Sequence, residues 1–145
     1  CFLKENYSIN EGMPPEVNLL NEKNNGECLL NLIDQNLVLS SHDISNGGLI
    51  TAISEMSLNS NFGAKISKPK KLTNLFKYFF GEDQARYIVE IEENNLIKTE
   101  KILKKNNIYY EILGFTQKEY IEIEGELKIS NKELFKINNE WYNNY

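Results

Sequence analysis

Two short stretches carry residue types that could do chemistry. The first is Ser41-His42-Asp43-Ile44-Ser45-Asn46-Gly47-Gly48. A glycine pair placed between an apolar run and a helical pattern lets the backbone approach a ligand closely and aims N–H groups, with the positive end of a helix, at an anion. The spacing matches neither Gly-x-x-x-x-Gly-Lys-Ser/Thr nor Gly-x-Gly-x-x-Gly. The competing reading is structural: a tight turn into a helix, capped by Asp43 or Ser45. The second stretch is Gly81-Glu82-Asp83-Gln84-Ala85-Arg86. Arg86 is the only arginine in the chain, and its planar fork could grip a phosphate beside two carboxylates and an amide. Here the competing reading is an ion pair between Arg86 and Glu82 or Asp83.

His42 is the only histidine. Beside Asp43 it has the makings of a general base, but with no nucleophile or second acid in the pattern it is better read as a hydrogen-bonded structural residue. The two cysteines, Cys1 and Cys28, form no Cys-x-x-Cys or Cys/His cluster. Neither a zinc site nor a disulfide framework is expected, and the default compartment is reducing.

These stretches must be positioned by an ordinary globular fold. The chain has 145 residues, 41% hydrophobic and 26% charged, with three prolines and eight glycines, so it falls within the size of one domain and outside the disordered and fibrous classes. Its net charge of −5, with acids and bases interspersed, excludes the basic face that duplex nucleic acid requires. No apolar run is long enough to cross a bilayer. With no initiator Met and no signal peptide, the chain is expected to begin within a longer protein.

Residues 1–22, through Pro14-Pro15, predict an extended connecting segment from a preceding domain, followed by a single α/β domain over 23–145. Within it the patterns predict a helix from Glu27 to Ile33, a buried strand at Leu37–Leu39, and a helix carrying Leu49, Ala52, Ile53 and Met56 on one face. A short strand at Ala64–Ile66 and a helix through Leu72, Leu75, Phe76 and Phe79, ended by Gly81 as its C′ residue, come next. Arg86–Ile91 is expected as a central strand, Leu96–Lys105 as a helix with Ile102 and Leu103 inward. Strands follow at Tyr109–Phe115, Tyr120–Ile123 and Leu127–Ile129. Ser130 and Glu133 form a capping box before a closing helix that turns Leu134, Ile137 and Trp141 to one face. The order predicts an α/β (α+β) fold, a mixed four- or five-stranded β-sheet with helices packed on it.

In sequence order, Ser41-His42-Asp43-Ile44-Ser45-Asn46-Gly47-Gly48-Leu49 resembles the His-Asp-x-Ser-Asp-Gly-Gly-Leu motif of the phosphoribosylformylglycinamidine synthase family, and Phe80–Val89 is similar to its Phe-x-Glu-Ser-Gln-x-Arg-Phe-x-Val segment. Glu11–Leu19, Leu113-Gly114-Phe115-Thr116 and the last helix also resemble family segments. The departures are Asn46, where the family more often has Asp, and Asp83, where it often has Ser.

The resemblance implies the C-terminal-domain fold of the wider aminoimidazole ribonucleotide synthetase superfamily. It implies a part in the ATP-dependent amidation of formylglycinamide ribonucleotide with glutamine-derived ammonia, in cytoplasmic purine biosynthesis. This is the work of a glutamine-dependent carbon–nitrogen ligase, and the isolated domain is not expected to catalyse it. The ligand contacts it implies are His42, Asp43, Ser45, Gly47, Gly48, Glu82, Gln84 and Arg86, with no catalytic residue and no metal ligand in this chain. ATP and Mg would be bound mainly by preceding domains. Those domains, a glutaminase subunit and a small accessory subunit are the implied partners, with no nucleic acid and no membrane. Two alternatives stay open: a stand-alone nucleotide or phosphosugar binding module, and a purely structural domain that docks the glutaminase.

Overall fold

The computed structural model describes all residues except 1, 12, 61, 70–73 and 144–145, and for 141–143 it describes the backbone alone. The chain divides into two compact units, each made of two separate stretches. Unit 1 comprises Cys1–Ala52 with Phe80–Glu111, and unit 2 comprises Ile53–Phe79 with Ile112–Tyr145.

Unit 1 opens with a short helix, α1 (Phe2–Tyr7), and then α2 (Leu19–Asp34). Both fall partly or wholly in residues 1–22, where an extended run was expected. The reason is local: Asn18 caps α2 by accepting a hydrogen bond from the Asn21 N–H, so the helix begins four residues after Pro15 and absorbs Gly26. At its other end α2 closes with Asn36 in the left-handed region, the Asn36 N–H on Ile33 O and the Leu37 N–H on Leu32 O, a Schellman arrangement. That closure corrects the expected strand at Leu37–Leu39. The Leu37 amide is spent on the helix and its side chain is buried, so β1 starts only at Ser40 and runs to Asp43.

β1 pairs antiparallel with β3 (Tyr87–Glu90), His42 opposite Ile88 and Asp43 opposite Tyr87. Between them in sequence come α3 (Gly48–Leu58), β2 (Phe62–Ile66) and α4 (Leu75–Phe80). Of the predicted face of α3, Leu49, Ala52 and Ile53 are buried and Met56 is half-buried. β3 is not the central strand expected, since among the described residues it pairs with β1 alone. Gly81 follows α4 without adopting a left-handed φ, so it is not the C′ residue expected, while Leu72 lies outside the described residues. After a short 3-10 turn at Glu93–Asn95, α5 (Leu96–Lys105) has the predicted bounds, half-buries Ile102 and Leu103, and ends as α2 does, with Asn107 left-handed and the Ile108 N–H on Leu103 O.

Unit 2 contains a four-stranded mixed sheet in the order β4-β2-β5-β6, where β4 is Gly114–Lys118, β5 Tyr120–Ile123 and β6 Leu127–Ser130. β2 runs antiparallel to β4 and parallel to β5. The expected strand at Tyr109–Phe115 is displaced to Gly114–Lys118, because its partner β2 ends at Ile66, opposite Gly114. Ile121, at 0% exposure, and Ile123 join Ile66 in the core of this unit, as the alternation with Glu122 and Glu124 predicted. On the opposite face Glu122 lies 3.4 Å from Lys65 and 3.5 Å from Lys128, its partners in register on either side. Ser130 accepts the Glu133 N–H at 3.1 Å at the start of α6 (Asn131–Asn143), one half of the expected capping box. Leu134 is half-buried on α6 but Ile137 is 54% exposed, so the inward face expected there is narrower than predicted, and the Trp141 side chain lies outside the described residues.

Candidate functional site

Both chemistry-bearing stretches belong to unit 1, and the β1–β3 pairing brings them together. β1 delivers the chain into the Ile44–Gly47 turn, and β3 begins one residue after Arg86. The Ile44 N–H donates to Arg86 O at 2.9 Å, which extends the ladder past both strand ends and holds the glycine turn beside the Gly81–Arg86 turn.

Gly47 and Gly48 sit at φ +81° and +73°, and the Gly48 N–H closes the turn on Ser45 O at 3.0 Å. A side chain at Gly47 would be strained twice, since a Cβ there would also fall 2.1 Å from Thr51 Oγ1. The expectation that these glycines serve backbone geometry is therefore met. The expected caps are not. Asp43 and Ser45 do not supply the hydrogen bond to this turn's Gly47 amide. It comes from Glu82, whose Oε1 accepts the Gly47 N–H at 2.9 Å from 35 residues along the chain. A carboxylate is the favoured partner at the amino end of a helix, and here the protein supplies its own.

Arg86 turns back on its own loop. Its Nη1 donates to Gly81 O at 3.3 Å and lies 3.5 Å from Asp83 Oδ2, the structural reading of that cluster. His42 is half-buried on β1, its Nδ1 donating to Asp43 O at 2.6 Å, with Asp43 Oδ1 3.7 Å away. Asp43, Ser45 and Gln84 are exposed. The geometry thus gathers His42, Asp43, Ser45, Gly47, Gly48, Glu82 and Arg86 around two joined turns, and leaves Gln84 at the surface.

Two contributing residues carry no signal in the sequence pattern, and both lie on α2. Asn25 Nδ2 donates to Ala85 O at 2.8 Å, holding an alanine whose φ is +62°. Glu22 accepts the Tyr87 hydroxyl at 3.3 Å. Burial first, then the Glu22 charge and hydrogen bond and the Asp43 charge, push the Tyr87 phenol above its ordinary range. A polar position on a helix facing 60 residues downstream announces itself only once the chain is folded.

Among the described residues no three His, Cys, Asp or Glu side chains are grouped to hold a metal ion. The phosphates of ATP fit poorly, because Glu82 already covers the Gly47 donor with a negative charge.

Residues 2–124 match the family described as AIR synthase related protein, C-terminal domain. The chain is 42% identical to the phosphoribosylformylglycinamidine synthase subunit PurL of Pelagibacter ubique and 35% identical to that of Rhodopseudomonas palustris, over 144 residues in each case. The match takes in 99% of this chain but 20% of those relatives, so the chain spans about a fifth of their length. Among solved structures, Thermotoga maritima PurL complexed with FGAR superposes with a TM-score of 0.68 at 19% identity, over 79% of this chain and 21% of that one. The Thermotoga maritima assembly PurLQS gives 0.69 at 19%, over 92% and 24%. At these identities the likeness is one of fold.

Proposed function

This chain belongs to the AIR synthase related C-terminal domain family, and from that premise we propose that it is the C-terminal domain of a phosphoribosylformylglycinamidine synthase. In this reading residues 1–22 connect it to a preceding domain and 23–145 form the final α/β domain. It takes part in the ATP-dependent amidation of formylglycinamide ribonucleotide with glutamine-derived ammonia, in cytoplasmic purine biosynthesis, and is not catalytic by itself.

The observation that carries the reading is the match over 99% of the chain, at up to 42% identity, to PurL subunits about five times its length. Exposed apolar side chains at Met13, Val17, Leu19 and Leu20 support it, since four within eight residues suit a segment covered by a neighbouring domain. Thermotoga maritima PurL has been solved with ATP and with FGAR. We assign the ATP and Mg chemistry mainly to residues outside this chain, whose described residues include no group of three metal-ligating side chains and whose glycine turn is satisfied from within. When bound there, ATP would activate the amide oxygen. The residues of this chain shape and brace the adjoining scaffold, His42, Asp43, Ser45 and Gln84 being the side chains placed to reach a ligand. A glutaminase subunit and a small accessory subunit are the proposed partners, in keeping with the PurLQS neighbour. No helix among the described residues is long and apolar enough to cross a membrane.

The test is a chimera in which this chain replaces the matched fifth of a PurL relative, introduced into a purine-requiring strain that lacks its own PurL. Growth without purines is expected. A chimera that accumulates as soluble protein and gives no growth would overturn the assignment.

A further inference from the structure

The two turns of unit 1 form a closed circuit. From Ile44 the chain passes to Gly47, whose N–H is held by Glu82 at 2.9 Å; from Glu82 it passes to Arg86, whose carbonyl returns to the Ile44 N–H at 2.9 Å. The Glu82 arm of this circuit is braced from two sides. Arg86 ties the ends of its own turn together through Gly81 O, and Asn25 of α2 holds Ala85 O at 2.8 Å. Ala85 pays for this with a left-handed φ of +62°, a conformation that a non-glycine residue keeps only where its surroundings enforce it.

We propose that Glu82 is a latch that makes the Ile44–Gly48 turn and the Gly81–Arg86 turn open and close as one element, with Asn25 as a positioning residue that acts on the Gly47 amide through Ala85. A closed latch fills the donor face of the glycine turn, so external anions reach it only when both turns release. A carboxylate fixed on one stretch and an amide fixed on another are each held in place by the rest of the circuit, and weakening any one bond raises the opening of all. The inference concerns the conformation of this chain and stands whether or not the enzyme assignment does.

Hydrogen–deuterium exchange on the full polypeptide that carries this domain reads the latch directly, with no need of activity. Glu82→Ala is expected to speed exchange across both turns by about tenfold, the loss of a hydrogen bond to a charged acceptor, and to leave α5 unchanged. Glu82→Gln keeps an acceptor oxygen and should give a smaller rise over the same residues. The distinguishing variant is Asn25→Ala, which touches neither Gly47 nor Glu82 and should still speed exchange at the glycine turn. Exchange of the wild-type turns should not respond to inorganic phosphate. The proposal is overturned if Asn25→Ala leaves the glycine turn unchanged, if Glu82→Ala loosens one turn without the other, or if phosphate slows exchange in the wild type. Should Glu82→Ala also loosen α5, Glu82→Gln decides: a rise confined to the two turns upholds the latch, and no rise there removes it.

Discussion

Gly47 shows how narrow the tolerance of a single position can be. Its φ of +81° and the 2.1 Å approach to Thr51 Oγ1 both oppose a side chain, so Gly47→Ala should cost about 2 kcal/mol and lower the melting temperature by roughly 6 °C. Thr51→Gly in the same chain should restore part of that loss, which a two-variant melting series would register. Tyr87 offers a pH-dependent counterpart. Its phenol titrates above the ordinary value of 10.0, so in alkali the unfolded chain loses the proton first. The stabilisation is therefore complete below pH 10 and is lost as pH rises above it. Denaturant midpoints of wild type and Tyr87→Phe should converge or cross between pH 9 and 11, in a trend where parallel lines would disprove the assignment. Both glycines and the Glu82 and Arg86 positions were legible as residues of interest. The contact between Gly47 and Glu82 was not, because helix-capping patterns look three residues ahead and this cap arrives from 35 residues away.

At the level of elements, sequence periodicity placed α3, α5 and β5 well, since each buries one regular face. It misplaced elements where a boundary was decided by hydrogen bonds and not by side chains. The Schellman closures at Asn36 and Asn107 consume the amides of Leu37 and Ile108 and delay the strands expected after each. An asparagine directly before an apolar run was the available signal at both places. In the sheet of unit 2, the Lys65–Glu122–Lys128 row alternates charge across three strands. Glu122→Lys would set three cations side by side and should cost roughly 1 kcal/mol at low ionic strength, most of it recovered in high salt. Urea unfolding at two salt concentrations tests this, and a cost that does not change with salt would point to packing instead.

Over the whole molecule, the two units are each assembled from stretches interrupted by the other, which no composition shift in the sequence reveals. A fragment ending at Glu111 retains both stretches of unit 1 but leaves β2 without β4 and β5. Limited proteolysis of that fragment should cut within residues 53–79 while sparing α2 and α5, and equal resistance of the two regions would contradict the division. The same arrangement sets a schedule during synthesis. β2 leaves the ribosome about fifty residues ahead of the strands that will flank it, a wait of roughly 3–10 s at ordinary elongation rates. Throughout that interval Phe62–Ile66 is an unpaired apolar strand in the nascent chain, the stretch that a chaperone has most reason to hold.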